Sequence, residues 1–333
     1  MYNGIQVLRF FAAFVVLIYH SFRTFNPGEL YGFTKIATNN FSFGVDIFFV
    51  ISGFVIYISF HKRPKKPFHF LIDRVIRIAP LYWVFTFIVA FMTLADPSIT
   101  PSTGFEIHNF ANSLFFIPSP NPAGGVMPIL PVGWTLNYEV VFYSVFIACT
   151  IVNRKLIILN TSIILGFFCL VSHVGYAYEF YSLPNMLEFS LGMILGFLTL
   201  NTRILAYNGE KWPLLIIIPV ICFMCSPLEL NNFIIYGIPS FIMIAILIKV
   251  EKGIRIPKRI SALGDYSYSL YLCHKPVLYF MVYLTHTYAL DINILILISI
   301  ISSIILSILT YNYIDKPLRI AFKNLISKRF HYI

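Results

Sequence analysis

Seven ionisable side chains interrupt the long apolar stretches of this 333-residue sequence: Arg9, His20, Asp46, Glu139, Glu188, His274 and Lys275. A charge inside a membrane-spanning segment costs from about 2.5 to above 10 kcal/mol, so such residues mark a function or a buried partner. Arg9 and His20 lie eleven residues apart, near three helical turns. They therefore share one helix face to within about 20° and stand about 16 Å apart along the axis. A positioned histidine is the commonest general base. An interfacial histidine and a snorkelling arginine would each explain one of them, but not two polar groups on one face of an apolar helix. Arg74 and Arg77 stand three apart and project from one side of a helix. Surface anchoring is the plain reading. The chemical reading is a guanidinium fork for phosphate, planar and bidentate where lysine is not. Glu139, five residues after Trp134, and Asp46 fall at a depth comparable to His20. A carboxylate can hold an imidazole in one tautomer and stabilise its protonated form, so Glu139 or Asp46 would pair with His20. A helix-start role after Gly44 competes for Asp46, and interfacial solvation competes for Glu188.

Composition says what kind of element must hold these groups. The chain is 58% hydrophobic and 11% charged, with a mean hydropathy of +0.80. Soluble proteins are about 45–50% apolar and about 25% charged, so too few charges exist here to cover a water-facing surface. Ten apolar segments of spanning character lie at 4–22, 43–60, 79–95, 136–152, 156–173, 186–200, 213–225, 233–250, 266–286 and 292–314. The expected fold is all-α and polytopic, a single membrane-embedded domain over 1–333 with no separate soluble domain. Twenty of the 24 Lys and Arg fall in alternate loops and the C-terminal tail: six from Lys62 to Arg77, two at Arg154 and Lys155, two at Arg203 and Lys211, five from Lys249 to Arg259, and five from Lys316 to Arg329. Basic loops stay cytoplasmic, which predicts ten crossings with both termini inside. The net charge of +10 is then a topology signal rather than a nucleic-acid footprint, and the same charge can touch anionic headgroups.

The first apolar run carries Arg9 and His20 and no small-residue cleavage site follows it, so it reads as a retained helix. The longest loop, 96–132, faces outward, is rich in Pro, Asn and Gly, and has no Lys or Arg. Loops of that length are functional or disordered more often than plain connectors. The five cysteines lie in or beside apolar segments, and the C-x-x-C at Cys222 and Cys225 reads as small hydrophobes in a helix. No metal is expected.

Six strings then line up in order. They are R-x10-H at Arg9 and His20, GVDIFFVISGF at 44–54, and R-x-x-R at Arg74 and Arg77 followed by Pro80, Tyr82 and Trp83. WTLNYE at 134–139 precedes Tyr143, and YSYSLYLCHKP at 266–276 and YIDKP at 313–317 complete the set. Their order and spacing resemble the acyltransferase 3 family of integral-membrane acyltransferases, from the first apolar segment to the last. The resemblance implies a ten-helix domain that uses cytoplasmic acyl-CoA, usually acetyl-CoA. It implies O-acylation of cell-envelope carbohydrates such as O-antigen of lipopolysaccharide, peptidoglycan or exported polysaccharide, in the bacterial inner membrane. It also implies functional roles for Arg9, His20, Arg74 and Arg77. The chain ends shortly after the tenth segment and so looks like a stand-alone member. Asp315 stands where Glu is the commoner residue.

Residues and resemblance meet in one expectation. Arg74, Arg77 and Arg9 hold the phosphates of acetyl-CoA, helped by the basic stretch at 62–66. His20, oriented by Glu139 or Asp46, takes the proton from a sugar hydroxyl of a lipid-linked glycan as that hydroxyl attacks the thioester. An acetyl-histidine intermediate is the competing version. Trp134, Ser267, Tyr271 and His274 are the expected pocket residues. The alternative function is a transporter or flippase for a lipid-linked glycan, with Pro219, Pro239 and Pro276 as helix breaks. A transporter predicts inverted repeats and midplane polar groups, whereas these charges gather toward the two faces.

Overall fold

The computed structural model describes residues 2–25, 32–62, 66–173, 179–182, 184–228, 230–288 and 290–330. Arg63 and Lys65 of the basic stretch lie outside them. All ten apolar segments are helical: α1 (Asn3–Phe25), α3 (Gly44–Lys62), α4 (Pro67–Ala95), α6 (Trp134–Val152), α7 (Ile157–His173), α8 (Met186–Asn201), α9 (Ile217–Met224), α10 (Ile238–Val250), α12 (Leu263–Thr287) and α13 (Ile292–Thr310). Four shorter or flanking helices join them: α2 (Gly32–Asn40), α5 (Ile107–Leu114), α11 (Lys258–Ser261) and α14 (Lys316–Phe330). Seven of the helical stretches are long and apolar enough to cross a membrane, among the described residues. Two more, Met186–Asn201 and Trp212–Met224, are apolar but shorter.

α12 is long enough at 25 residues, about 37 Å, yet it is not among the seven. Its polarity has a structural cause. Ser267, Ser269, Cys273 and His274 are fully buried and Lys275 nearly so, so the helix meets protein rather than lipid. It packs between α1 and α13, and α1 in turn packs on α3. α13 shows the complementary pattern. Ser299, Ser303 and Ser307 face inward, while Ile294, Ile298, Ile301 and Ile305 are exposed. Small polar residues inside and large apolar ones outside is the arrangement expected where lipid is the solvent. α4 and α7 likewise expose Phe87, Phe91, Leu94, Leu159, Ile163 and Phe167.

α3 and α8 approach most closely at Gly53 and Gly192. A Cβ on Gly53 would lie 2.0 Å from the Phe189 carbonyl oxygen, and one on Gly192 would lie 2.0 Å from that of Val50. Any side chain at either position would force these helices apart.

α4 begins at Pro67, well before the apolar segment read at 79–95. Pro at the first helical position lacks only an N–H that has no partner there. Arg74 and Arg77 therefore sit inside a continuous helix, not at its entrance, and Pro80 lies within it. The long 96–132 loop is folded. Asn109 is fully buried and its Nδ2 donates to the carbonyls of Pro120 and Met127 at 3.0 and 2.9 Å, and to Ser119 Oγ at 3.0 Å. Asn121 Oδ1 accepts from Gly104 N and Ala123 N at 2.8 and 2.9 Å. Two buried amides thus close a loop that lacks strand ladders. Trp83 Nε1 ties it to α4 through the Leu114 carbonyl at 2.8 Å.

Candidate functional site

α1, α3, α4, α6 and α12 enclose a cavity of about 570 Å³. Arg9, Lys62, Arg74 and Arg77 line it, with Gln6, Ser52, Glu139 and Tyr143, and so do the apolar Phe48, Phe49 and Leu136 and the deeper Thr135 and Tyr271. Three helices that are distant in sequence supply its three guanidiniums and its carboxylate.

Arg9, Arg74 and Glu139 are held by local contacts. Arg9 Nη1 donates to Gln6 Oε1 one turn earlier at 3.0 Å, and Gln6 Nε2 donates to Asp265 Oδ1 at 3.3 Å. The start of α1 is fixed by Glu251, whose carboxylate accepts from the backbone N–H of Asn3 at 2.6 Å and of Gly4 at 3.0 Å. Those amides have no partner inside the helix, and negative charge is favoured at a helix N-terminus. Arg74 lies 4.8 Å from the Phe70 ring centroid, a cation–π contact that holds its guanidinium. Among the described residues no ion pair ties Arg74 or Arg77 to a carboxylate. Glu139 Oε1 accepts from Ser52 Oγ at 2.8 Å and from the Tyr143 hydroxyl one turn away. Tyr268 donates to the Ile78 carbonyl at 2.6 Å, pinning α12 to α4 beside the arginines.

His20 lies beyond this cavity, against a second imidazole. The His20 and His274 ring centroids are 5.2 Å apart with planes 25° from parallel. His274 is fully buried and its Nδ1 lies 3.1 Å from the Leu270 carbonyl oxygen. A carbonyl only accepts, so Nδ1 carries the proton and Nε2 is left as the lone-pair nitrogen. Tyr271 connects the two regions. It lines the cavity, its ring is 5.9 Å from that of His274, and its hydroxyl lies 3.0 Å from Thr135 Oγ1. Lys275, next in α12, reaches the 96–132 loop instead, with Nζ 3.5 Å from Ser102 Oγ.

The expected carboxylate partner of His20 is not in place. Neither Glu139 nor Asp46 hydrogen-bonds it among the described residues. Asp46 is buried between α3 and α8, where Oδ1 accepts from Asn185 Nδ2 at 2.7 Å, and the same amide reaches Glu188 Oε1 at 3.4 Å. Residue spacing fixes position along one helix but not side-chain azimuth between helices, because separate helices share no period. Ser267 also departs from expectation. It is fully buried and its hydroxyl donates to the Gly264 carbonyl within α12 at 2.7 Å, so it does not line the cavity. Trp134 stands edge-on to Phe49 and Tyr138, one layer behind the wall. Gln6, Ser52, Thr135 and Tyr143 were not singled out for roles. Gln6 and Tyr143 sit one turn from Arg9 and Glu139, the spacing that could have found them.

A family model described as an acyltransferase domain matches residues 2–312, nearly the whole chain. The chain belongs to the acyltransferase 3 family. As a member, it is an acyltransferase and an integral membrane protein, and the order of its six strings follows from that membership. It is 29% identical over 299 residues to the exopolysaccharide production protein ExoZ of Rhizobium meliloti (strain 1021), covering 83% of this chain and 88% of that one. No solved structure matches.

Proposed function

We propose that this acyltransferase 3 protein moves an acetyl group from cytoplasmic acetyl-CoA to a hydroxyl of an envelope polysaccharide, of the O-antigen or exopolysaccharide kind. The observation that carries the reading is the cavity. Its lining includes three guanidiniums and Tyr271, whose ring lies 5.9 Å from that of His274 in the paired imidazoles. Arg74 and Arg77 have the geometry for bidentate phosphate contacts, Arg9 sits above them, and the apolar middle suits a thin acyl-bearing arm. The similarity to ExoZ, an exopolysaccharide production protein, supports a carbohydrate acceptor. In this reading all ten segments cross the membrane, both termini are cytoplasmic, and the folded 96–132 loop lies on the acceptor side of the bacterial inner membrane.

His20 takes the proton from the acceptor hydroxyl as its oxygen attacks the thioester carbon. The C–S bond breaks, CoA leaves as thiolate, and the proton passes from His20 to the sulfur. His274, held by the Leu270 carbonyl, keeps the His20 ring in place. Glu139 balances the guanidiniums of the cavity. Asp46, occupied by Asn185, takes no part in the chemistry.

His20→Ala is expected to lower acetylation of surface glycan by about 10²- to 10⁴-fold, the usual contribution of a general base. The folded protein should still reach the membrane. Mass spectrometry of the glycan, searching for acetyl mass on one sugar, checks this, and near-normal acetylation would remove His20 from the reaction. Acceptor-dependent consumption of acetyl-CoA separates a transferase from a flippase.

A further inference from the structure

Two of the cations on α14, Arg319 and Lys323, line a space that the reaction above does not use. A second cavity, of about 270 Å³, is lined by Asp73, Arg74, Ile76, Arg77, Arg319 and Lys323. Arg74 and Arg77 line the larger cavity as well, so the two spaces meet across the R-x-x-R pair. Beyond that junction the only new positive groups in the lining come from α14.

Arg319 is built into place. The chain passes from α13 to α14 through one π-helical turn, Tyr311–Asp315, and such turns recur at functional sites. Asp315, at the end of that turn, is 1% exposed. Its Oδ1 accepts from Arg319 Nε at 2.7 Å and its Oδ2 accepts from Nη2. The guanidinium also lies 5.9 Å from the Tyr311 ring centroid. Two of its five N–H groups are used and three remain for a ligand. Lys323 follows four residues later, on the same face of α14, and is exposed.

Four cations and one carboxylate line this space, and with Asp315 paired to Arg319 from behind the lining, positive charge still predominates and repels itself. An anion carrying several negative charges relieves that repulsion, and Arg forks suit phosphate oxygens. The larger cavity has the apolar length for an acyl-thioester arm, so the charged end of a donor must lie at and beyond Arg74 and Arg77. CoA carries a diphosphate next to its arm and a further phosphate on the ribose 3′ position. We propose that Arg319 and Lys323 form the subsite for this ribose 3′-phosphate, while Arg74 and Arg77 take the diphosphate. This inference rests on the acyl-CoA reading of the donor.

The test compares acetyl-CoA with its dephospho form, which lacks the 3′-phosphate, as donors for the purified protein in phosphatidylcholine nanodiscs. The wild type should show a KM about 10- to 100-fold lower for acetyl-CoA, the worth of one or two charge-assisted hydrogen bonds. The Arg319→Gln and Lys323→Gln double variant should bring that ratio close to one by weakening acetyl-CoA. Lys323→Gln alone, at an exposed position with no buried partner, should reduce the ratio part-way, and it keeps the test valid if loss of the Asp315 pair harms folding. An unchanged ratio in both variants overturns the subsite. Variants that change only the response to added phosphatidylglycerol would mean that α14 grips a lipid headgroup, which also overturns it. Turnover with neither nucleotide would overturn the donor reading itself, a result distinct from turnover with an unaltered ratio.

Discussion

Glu139 and Asp46 are both carboxylates on apolar helices, α6 and α3, yet the fold treats them differently. Glu139 opens onto a cavity, shares it with Arg9, Arg74 and Arg77, and takes hydrogen bonds from Ser52 and Tyr143. Asp46 lines neither described cavity and accepts from Asn185 in a contact between α3 and α8 that also includes Glu188. Asp46 is buried and Glu139 is half-buried. What distinguishes them is whether the partners are other helices or a space that a substrate can enter. A polar group sealed between helices specifies packing; one on a cavity wall is available for chemistry.

Substitutions can break or sharpen this contrast. Glu139→Gln should lower kcat/KM by about 10- to 100-fold, the loss of one charged interaction, with little change in thermal unfolding in detergent. A lowered unfolding temperature with normal turnover would place Glu139 with the structural group. Arg77→Lys should raise the KM for acetyl-CoA about tenfold, because a point charge cannot replace a bidentate fork. Full activity would mark Arg77 as a surface anchor. Asp46→Leu should do the reverse of Glu139→Gln. It strands the Asn185 amide and should cost about 1–3 kcal/mol of stability, read as a lower unfolding midpoint at unchanged KM in the protein that survives. Altered KM without altered stability would erase the distinction.

The 96–132 loop extends the same logic. Asn109→Ala removes the amide donor shared by the Ser119, Pro120 and Met127 carbonyls, at a cost of about 1–3 kcal/mol. Protease cleavage within 96–132 should accelerate while the bundle stays intact. The smallest effect belongs to Glu106, an exposed cap whose carboxylate accepts from the backbone N–H of His108 and Asn109 at 2.9 and 2.7 Å. Those bonds hold its pKa below the ordinary value of 4.5. A group depressed in the folded state adds stability above its unfolded pKa and loses it as pH falls through the folded value. Amide exchange in α5 should therefore rise only below about pH 4, and Glu106→Gln should remove that dependence. An acid-dependent rise that persists in the variant would assign it elsewhere.

Much of this was legible in the chain. Hydrophobic period and length marked all ten helical segments, since lipid and backbone hydrogen bonding admit few alternatives. Spacing within one helix brought Arg74 beside Arg77 and set Arg9 and His20 on one face, because a single helix has one pitch. The six ordered strings carried the family. Contacts between helices were decided by tertiary packing alone. No period relates α6 to α1, so Glu139 could be read at the depth of His20 and still bond Ser52 and Tyr143 instead. The same holds for the stacking of His274 on His20 and for the loss of Ser267 to its own backbone. It holds too for the π turn that swings Arg319 toward Arg77. Axial position is local and follows from residue count. Azimuth and partner depend on how ridges and glycine contacts such as Gly53 and Gly192 seat one helix on the next.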